Sequence, residues 1–567
     1  MLIKDFIKTI NIVGKKTFLK IFILTFLIMI LEIMGVALVV PFIEIILGQS
    51  DQFIEKYNFL ELEILNQNEN FVIFAILTLL VFFIFKSLFS VYVNRSFVYT
   101  VYRTRTNIQK KILDNFIGQN LEAHLKKNSS SMINIINNEV NVFCTATFLS
   151  LINCTTEILV TIGLVLLLIF YEPTAFLFFS LSLIFPVYFF YSFTKNKQKI
   201  FGMTREKYDQ LALQSLQQAM HGIREVKLTE KEKIFSKFYN DNISQSANSI
   251  AGNLAWTAYT RIFIEFLVVA SISLLTFFIF SKDNTTGTNL ISTLGLFAVA
   301  VFRILPSLTR IINSLQSITF GNNSLNTVHE SLQKLKQVNT TKYQNKKFKN
   351  TLSLDDLSFR YENNKNIFEN VNLEINKGEL IGIIGPSGSG KSTLVDIISG
   401  LLKPSDGKII IDDKILGQYE KINCGYVSQN VFLMDDTIQK NIAFGQNDNE
   451  VNINRVNQAV KESQLEEFVK KLPEGLNTIV GERGTKISGG QKQRIGIARA
   501  LYSDADLLIF DESTNALDSN TEKEFFNTIL KMKKMKTIIF ISHKNIFMEY
   551  FDKIYQIKNN SIELTIN

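Results

Sequence analysis

The sequence predicts a multidomain chain, an all-α transmembrane domain of six helices followed by an α/β domain. Two observations predict it. Apolar residues crowd into the first three fifths of the 567 residues, where several uninterrupted runs reach the ~20 residues that a bilayer requires. Beyond about residue 350, short strand-like runs ("LIGIIG", "KIIID", "DLLIF", "TIIFIS") alternate with helical patterns, as in an α/β domain with a largely parallel sheet.

The composition agrees with a membrane protein: 47% of residues are hydrophobic, and 48 phenylalanines stand against one tryptophan. A formal net charge of +8 could indicate nucleic-acid binding, but the lysines flank the apolar runs, so the charge is read as topological and no nucleic-acid partner is expected. Cys144, Cys154 and Cys424 have no CxxC spacing and read as packing residues rather than a disulfide or zinc framework.

The elements follow in order. "MLIKDFIKTINIVGKKTFLK" is basic and amphipathic, and the run after it is too long for a signal segment and lacks a small-residue cleavage site, so it reads as an elbow helix before span one. Spans are predicted near 19–48, 71–100, 139–170, 174–196, 258–280 and 290–318. The connections after spans two and four are long, basic and helical in texture, whereas the others are short or less basic. By the positive-inside rule both termini are expected in the cytoplasm, with the long segments as extensions of the membrane helices. The loop after span one reads either as a short amphipathic helix around 53–65 or as a solvated loop. "KQVNTTKYQNKKFKNT" lacks an apolar period and reads as a linker. The expected division is 1–338 transmembrane domain, 339–350 linker and 351–567 nucleotide-binding domain.

"GPSGSGKST", comprising Gly385, Pro386, Ser387, Gly388, Ser389, Gly390, Lys391, Ser392 and Thr393, fits the phosphate-loop pattern between a predicted strand and a predicted helix. Its glycines let backbone N–H groups approach phosphate oxygens, and the helix N-terminus adds partial positive charge. Lys391 would reach the β- and γ-phosphates of ATP, and Ser392 would hold Mg2+. The plain alternative is a glycine turn with a helix-capping serine. Further along, "DLLIFDE" is a buried strand ending in Asp511 and Glu512, costly to bury unless a cation or a reacting water uses them. Asp511 then serves Mg2+, and Glu512 polarises the attacking water.

"ISGGQKQRIGIARAL", residues 487–501, resembles the signature motif of the ATP-binding cassette transporters, and the resemblance covers essentially the whole chain. It implies nucleotide-contacting roles for Ser488, Gly489, Gly490 and Gln491. It also matches Tyr361 to the aromatic residue that stacks on adenine, Gln429 to the glutamine loop that reaches metal and water, and His543 to the switch histidine. Ile487, Asn515 and Lys544 depart from the usual leucine, serine and arginine without removing a catalytic group, so an active ATPase using ATP and Mg2+ is expected. Because a signature completes the ATP site of another cassette in this family, a chain with one cassette is expected to form a homodimer. "GERG", residues 481–484, resembles an exporter loop, and the expected location is the bacterial cytoplasmic (inner) membrane.

The predicted spans carry Glu32, Lys86, Glu157, Arg261, Glu265, Arg303 and Arg310. A charge near the bilayer centre costs about 2.5–3.5 kcal/mol on insertion scales. Arg303 and Arg310 share one helix face, about 10 Å apart, with Pro306 between them as a candidate kink. These cations could pair with the glutamates, Arg261 with Glu265 first of all. Alternatively Lys86, Arg261, Arg303 and Arg310 line a cavity for an anionic lipid-linked substrate. "VFFIFKSLF", "AYTRIFIEF" and "VFRILPSLTRIINS" resemble segments of flippases that move lipid-linked oligosaccharides for protein glycosylation, with Lys86 where arginine is expected. That resemblance implies a polyprenyl-pyrophosphate oligosaccharide as cargo. Export of a peptide, drug or glycolipid is the second reading, and ATP-gated channel or regulatory activity a third.

Overall fold

The structure, a computed structural model, describes residues 2–46, 68–126, 128–171, 173–281, 287–337, 344–347, 349–361, 366–417, 420–512, 519–533, 536–542 and 548–565. The chain divides into two compact units, Met1–Gln119 with Lys126–Asn339, and Asn120–Leu125 with Thr340–Asn567. The five-residue helix Leu121–Leu125 therefore groups with the second unit, where Leu121 packs on the hydrophobic core.

The first unit is helical. Helix α1 (Leu2–Val13) ends at Gly14, whose φ of +98° turns the chain at no steric cost before α2 (Lys15–Ile46). Helix α3 (Asn68–Ile117), α4 (residues 129–171), α5 (Pro173–His221), α6 (Glu232–Ser281) and α7 (Gly287–Gln337) follow. Apolar run and polar extension form one continuous helix in α3, α5 and α6. Among the described residues four helices are long and apolar enough to cross a membrane: Lys15–Leu38, Ile76–Ile117, Ser129–Leu166 and Glu232–Leu274. The other two predicted spans lie on α5 and α7, whose apolar side chains fall partly outside the described residues. Helix α7 runs through Pro306 without ending, and the segment around 53–65 lies outside the described residues.

Two π-helical turns, Ile135–Glu139 and Phe143–Phe148, interrupt α4. The first ends at Glu139, which is fully buried and grips Arg205 of α5 through two hydrogen bonds of 2.9 Å. The Arg205 guanidinium also donates to Ser324 Oγ of α7 at 2.7 Å, and that hydroxyl donates to Glu139 Oε2 at 2.6 Å. A buried charge is tolerated only when paired and hydrogen-bonded; this set pairs both charges, with Asp209 Oδ2 as a further acceptor for Arg205 at 3.3 Å, while the Arg205 Nε is buried without a partner among the described residues. One turn away, Gly202 of α5 lies so close to the Phe320 carbonyl of α7 that a Cβ would meet its oxygen at 2.1 Å. Only glycine permits that approach, which brings Arg205 within reach of Ser324.

In the second unit β1 (Thr351–Phe359) and β2 (Phe368–Asn376) precede β3 (Leu380–Ile384), and α8 (Lys391–Ile398) follows. Then come β4 (Asp406–Ile411), β5 (Lys414–Ile415), β6 (Cys424–Val427), α9 (Gly489–Tyr502), β7 (Leu507–Asp511), β8 (Thr537–Ser542), β9 (Lys553–Lys558) and β10 (Ser561–Thr565). A six-stranded sheet has the order β10-β9-β3-β8-β7-β6 and is parallel except for the β9–β10 edge, while β2-β1-β4-β5 form an antiparallel sheet. Strands β3, β7 and β8 are almost wholly buried, which explains their continuous apolar runs. With β8 between them, β3 and β7 deliver the phosphate loop and the carboxylates to the same edge.

Candidate functional site: a nucleotide cradle and paired membrane charges

The loop of residues 385–390 joins β3 to α8. Gly388 and Gly390 hold φ of +77° and +98°, and a Cβ on Gly388 would meet nothing within 4 Å, so the loop is open where phosphate oxygens approach. Ser389 Oγ is buried without a hydrogen-bond partner, as a loop awaiting an acceptor or donor requires. Lys391 is 6% exposed and donates from Nζ to the Gly385 and Pro386 carbonyls, both at 3.0 Å. Burial lowers its pKa, while Glu512 and Asp511 pull it back up.

Opposite the loop, Asp511 Oδ2 accepts from Ser392 Oγ at 3.2 Å, so the two expected Mg2+ ligands already adjoin. A hydroxyl and a carboxylate are the oxygen donors that Mg2+ takes, and this pair fits it. Gln429 donates from Nε2 to Glu512 Oε2 at 2.8 Å. Glu512 has φ of +47°, a strained conformation for a non-glycine residue, while its N–H donates to the Ile541 carbonyl of β8. Thus Ser392, Gln429, Asp511 and Glu512 come together. Tyr361 stands edge-on to Phe359 at 5.0 Å, and its hydroxyl lies 3.4 Å from Thr393 Oγ1. His543, Asn515 and Lys544 lie outside the described residues.

Ser488 caps α9 in a capping box: its hydroxyl accepts from the Gln491 N–H, and the Gln491 side chain accepts from the Ser488 N–H. Gly489, exposed, and Gly490, half-buried, then form the first turn, whose N–H groups lie at a helix N-terminus. "GERG" forms a 3-10 turn, Glu482–Gly484, in which Arg483 has φ of +51°.

Three contributors escaped the sequence reading. Tyr426 of β6 donates to Asp511 Oδ2 at 3.0 Å, and burial, then the Asp511 charge, pushes its pKa up. Asp396 of α8 is pushed up to about 6, by burial first and by the Asp511 charge second. Gln493, 6% exposed, donates to the Gln429 carbonyl at 2.7 Å and so ties the signature helix to the glutamine loop. The only signal for Tyr426 was its place three residues before Gln429; Asp396 and Gln493 carried none.

In the membrane unit, Lys86 pairs with Glu32 at 2.8 Å, Arg310 with Glu157 at 2.9 Å, and Arg261 with Glu265 at 2.8 Å on an exposed face. The side chain of Arg303 lies outside the described ones. Pairing of cations with glutamates is therefore realised at each described position. Arg310 uses Nε for its pair, and its side chain is 50% exposed.

A helical membrane unit and a phosphate-loop unit with an adjoining carboxylate pair define a class, the membrane proteins that use nucleotide. The model of the ABC transporter transmembrane region matches residues 18–305, and that of the ABC transporter domain matches residues 368–515; this chain belongs to the ABC transporters. It is 38% identical over 212 residues to an ATP-dependent lipid A-core flippase of Cupriavidus pinatubonensis, covering 36% of each chain. The first curated relatives are thus matched over about a third of their length. A protein of the same name from Vibrio vulnificus is 28% identical over 469 residues, 80% of this chain and 78% of that one. In fold the chain is similar to a bacterial Atm1-family ABC exporter with ATP bound, with a TM-score of 0.77, 20% identity and coverage of 98% and 96%.

Proposed function

We propose that this chain is one half of a homodimeric, ATP-driven exporter that flips a phosphate-bearing glycolipid across the bacterial cytoplasmic membrane, with a polyprenyl-pyrophosphate oligosaccharide as cargo. Residues 1–338 are its membrane domain, 339–350 its linker and 351–567 its cassette, with both termini in the cytoplasm.

In the cassette Glu512 polarises the attacking water, Gln429 orients that water and His543 contacts the γ-phosphate. Tyr361 stacks on adenine, residues 385–393 cradle the phosphates, and Ser488, Gly489, Gly490 and Gln491 complete the site on the partner copy. Ser392, Asp511 and Gln429 would hold Mg2+, which neutralises charge on the β- and γ-phosphates.

The observation that carries the cargo reading is Arg310. Its guanidinium sits on an apolar helix, meets Glu157 from Nε at 2.9 Å, and is half-exposed. Its terminal nitrogens suit a phosphate oxygen pair, with Lys86, Arg261 and Arg303 as further cations. A lipid A-core cargo is the second reading, favoured by the name of the relatives.

The test is reconstitution in liposomes containing either lipid, scoring ATP-dependent change of leaflet. Movement of the polyprenyl lipid is expected. Movement of lipid A-core alone would select the second reading, and stimulation by a peptide but neither lipid would overturn both.

A further inference from the structure

We infer that one face of α3, residues 92–103, holds the phosphate of an anionic phospholipid that is not the cargo. Tyr92, Arg95, Ser96, Tyr99 and Arg103 line a single cavity of about 340 Å³. Their spacing places them on one side of the helix, with the two arginines about 12 Å apart along its axis.

Charge singles this face out. Residues 70–113 contain Lys86, Arg95, Arg103, Arg105, Lys110 and Lys111 but no Asp or Glu. Lys86, Arg205, Arg261 and Arg310 each hold a carboxylate, whereas among the described residues Arg95 and Arg103 form no ion pair. Arg95 lies over the Tyr99 ring, 5.5 Å from its centroid, which restrains the guanidinium. An arginine so fixed presents a fork of donors that matches phosphate.

A lipid rather than free phosphate is indicated by the continuation of the same face. Two and three turns before Arg95, Leu88 and Phe85 are 67% and 58% exposed and give acyl chains an apolar track. Tyr92 and Tyr99, 60% and 56% exposed, stand where the apolar run gives way to polar sequence, as interfacial tyrosines do. The inference rests on α3 crossing the membrane and not on the cargo.

The test is native mass spectrometry of the full chain with phosphatidylglycerol or phosphatidylcholine, with and without millimolar inorganic phosphate. Phosphatidylglycerol should be retained preferentially and resist displacement by phosphate. Arg95→Gln with Arg103→Gln should weaken retention about thirtyfold, the factor two basic residues supply at an anionic surface. If that pair fails to fold, Arg103→Gln alone should weaken it about fivefold. Unchanged retention in the variants would overturn the inference, as would displacement by inorganic phosphate. Loss of dimer with lipid retention intact would overturn it too, making this face a contact with a second copy.

Discussion

The Tyr426 hydroxyl donates to Asp511 Oδ2 across 3.0 Å, on the oxygen that also accepts from Ser392. It thus orients a carboxylate expected to hold Mg2+ without itself reaching the metal. Tyr426→Phe removes this bond and little volume, and loss of a partner behind a metal ligand costs about 10–100-fold in metal affinity or activity. The expected result is an ATPase needing about tenfold more Mg2+ for half-maximal turnover, with a smaller change in maximal rate at saturating Mg2+. An unchanged Mg2+ titration would reduce the bond to a packing detail.

Glu512 is held by Gln429 at one oxygen and by its own N–H on β8. Glu512→Gln keeps shape and hydrogen bonding but cannot take a proton. Turnover should fall at least about hundredfold while ATP still binds, the scale of a lost general base. Phosphate release and nucleotide binding measured on one preparation separate the two.

The Glu139–Arg205 pair has a different consequence, because it is buried and remote from the cassette motifs. Glu139→Gln removes the bidentate counter-charge of a buried guanidinium and leaves it only the longer contact to Asp209 at 3.3 Å, a cost of up to about 3–5 kcal/mol. Thermal unfolding of the detergent-solubilised chain should show the loss. Glu139→Gln with Arg205→Met should recover much of it, since an apolar replacement removes the stranded charge.

How far the sequence was legible follows from where its constraints lie. The phosphate loop and "DLLIFDE" were readable because backbone-phosphate contact demands glycine at fixed spacing and a buried strand demands continuous apolar residues. Tyr426 was not, because its partner is set by the register of β6 against β7, where Tyr426 faces Ile509, two residues before Asp511. The interhelical partners of the membrane charges were equally hidden. Arg261 and Glu265 share a helix turn and could be paired by spacing, whereas Lys86 with Glu32 and Arg310 with Glu157 join separate helices. Arg205 drew no notice at all: it sits in a polar extension that reads as solvated, and only the packing of α4, α5 and α7 buries it.

Asp412 gives a pH-dependent prediction. Its carboxylate accepts from the N–H groups of Lys349 and Asn350 at 2.7 Å each and of Thr351 at 3.1 Å. Burial alone would raise its pKa, but the three donors outweigh it and hold the folded value below the ordinary 3.8. A carboxyl with a depressed folded pKa stabilises above its unfolded pKa, and that contribution is lost as pH falls through the folded value. Hydrogen exchange at residues 349–351, corrected for intrinsic rates, should show protection at pH 5 that fades below about pH 4. In Asp412→Asn the protection should be weaker at pH 5 and should not change over that range.

Arg310 and Glu157 offer the sharpest test of how a membrane charge is used. If Glu157 only neutralises Arg310, removing the carboxylate leaves an unpaired cation in an apolar helix, and stability falls. If Arg310 exchanges Glu157 for a lipid phosphate during transport, Glu157→Gln frees the guanidinium for cargo. The second reading therefore predicts that Glu157→Gln tightens cargo stimulation of ATP turnover, by about tenfold for a charge-assisted bond no longer contested. Arg310→Ala should lower the lipid moved per ATP hydrolysed, and adding Glu157→Gln to it should restore nothing. Equal losses of thermal stability in both single variants, with unaltered dependence on cargo, would assign the pair to structure alone.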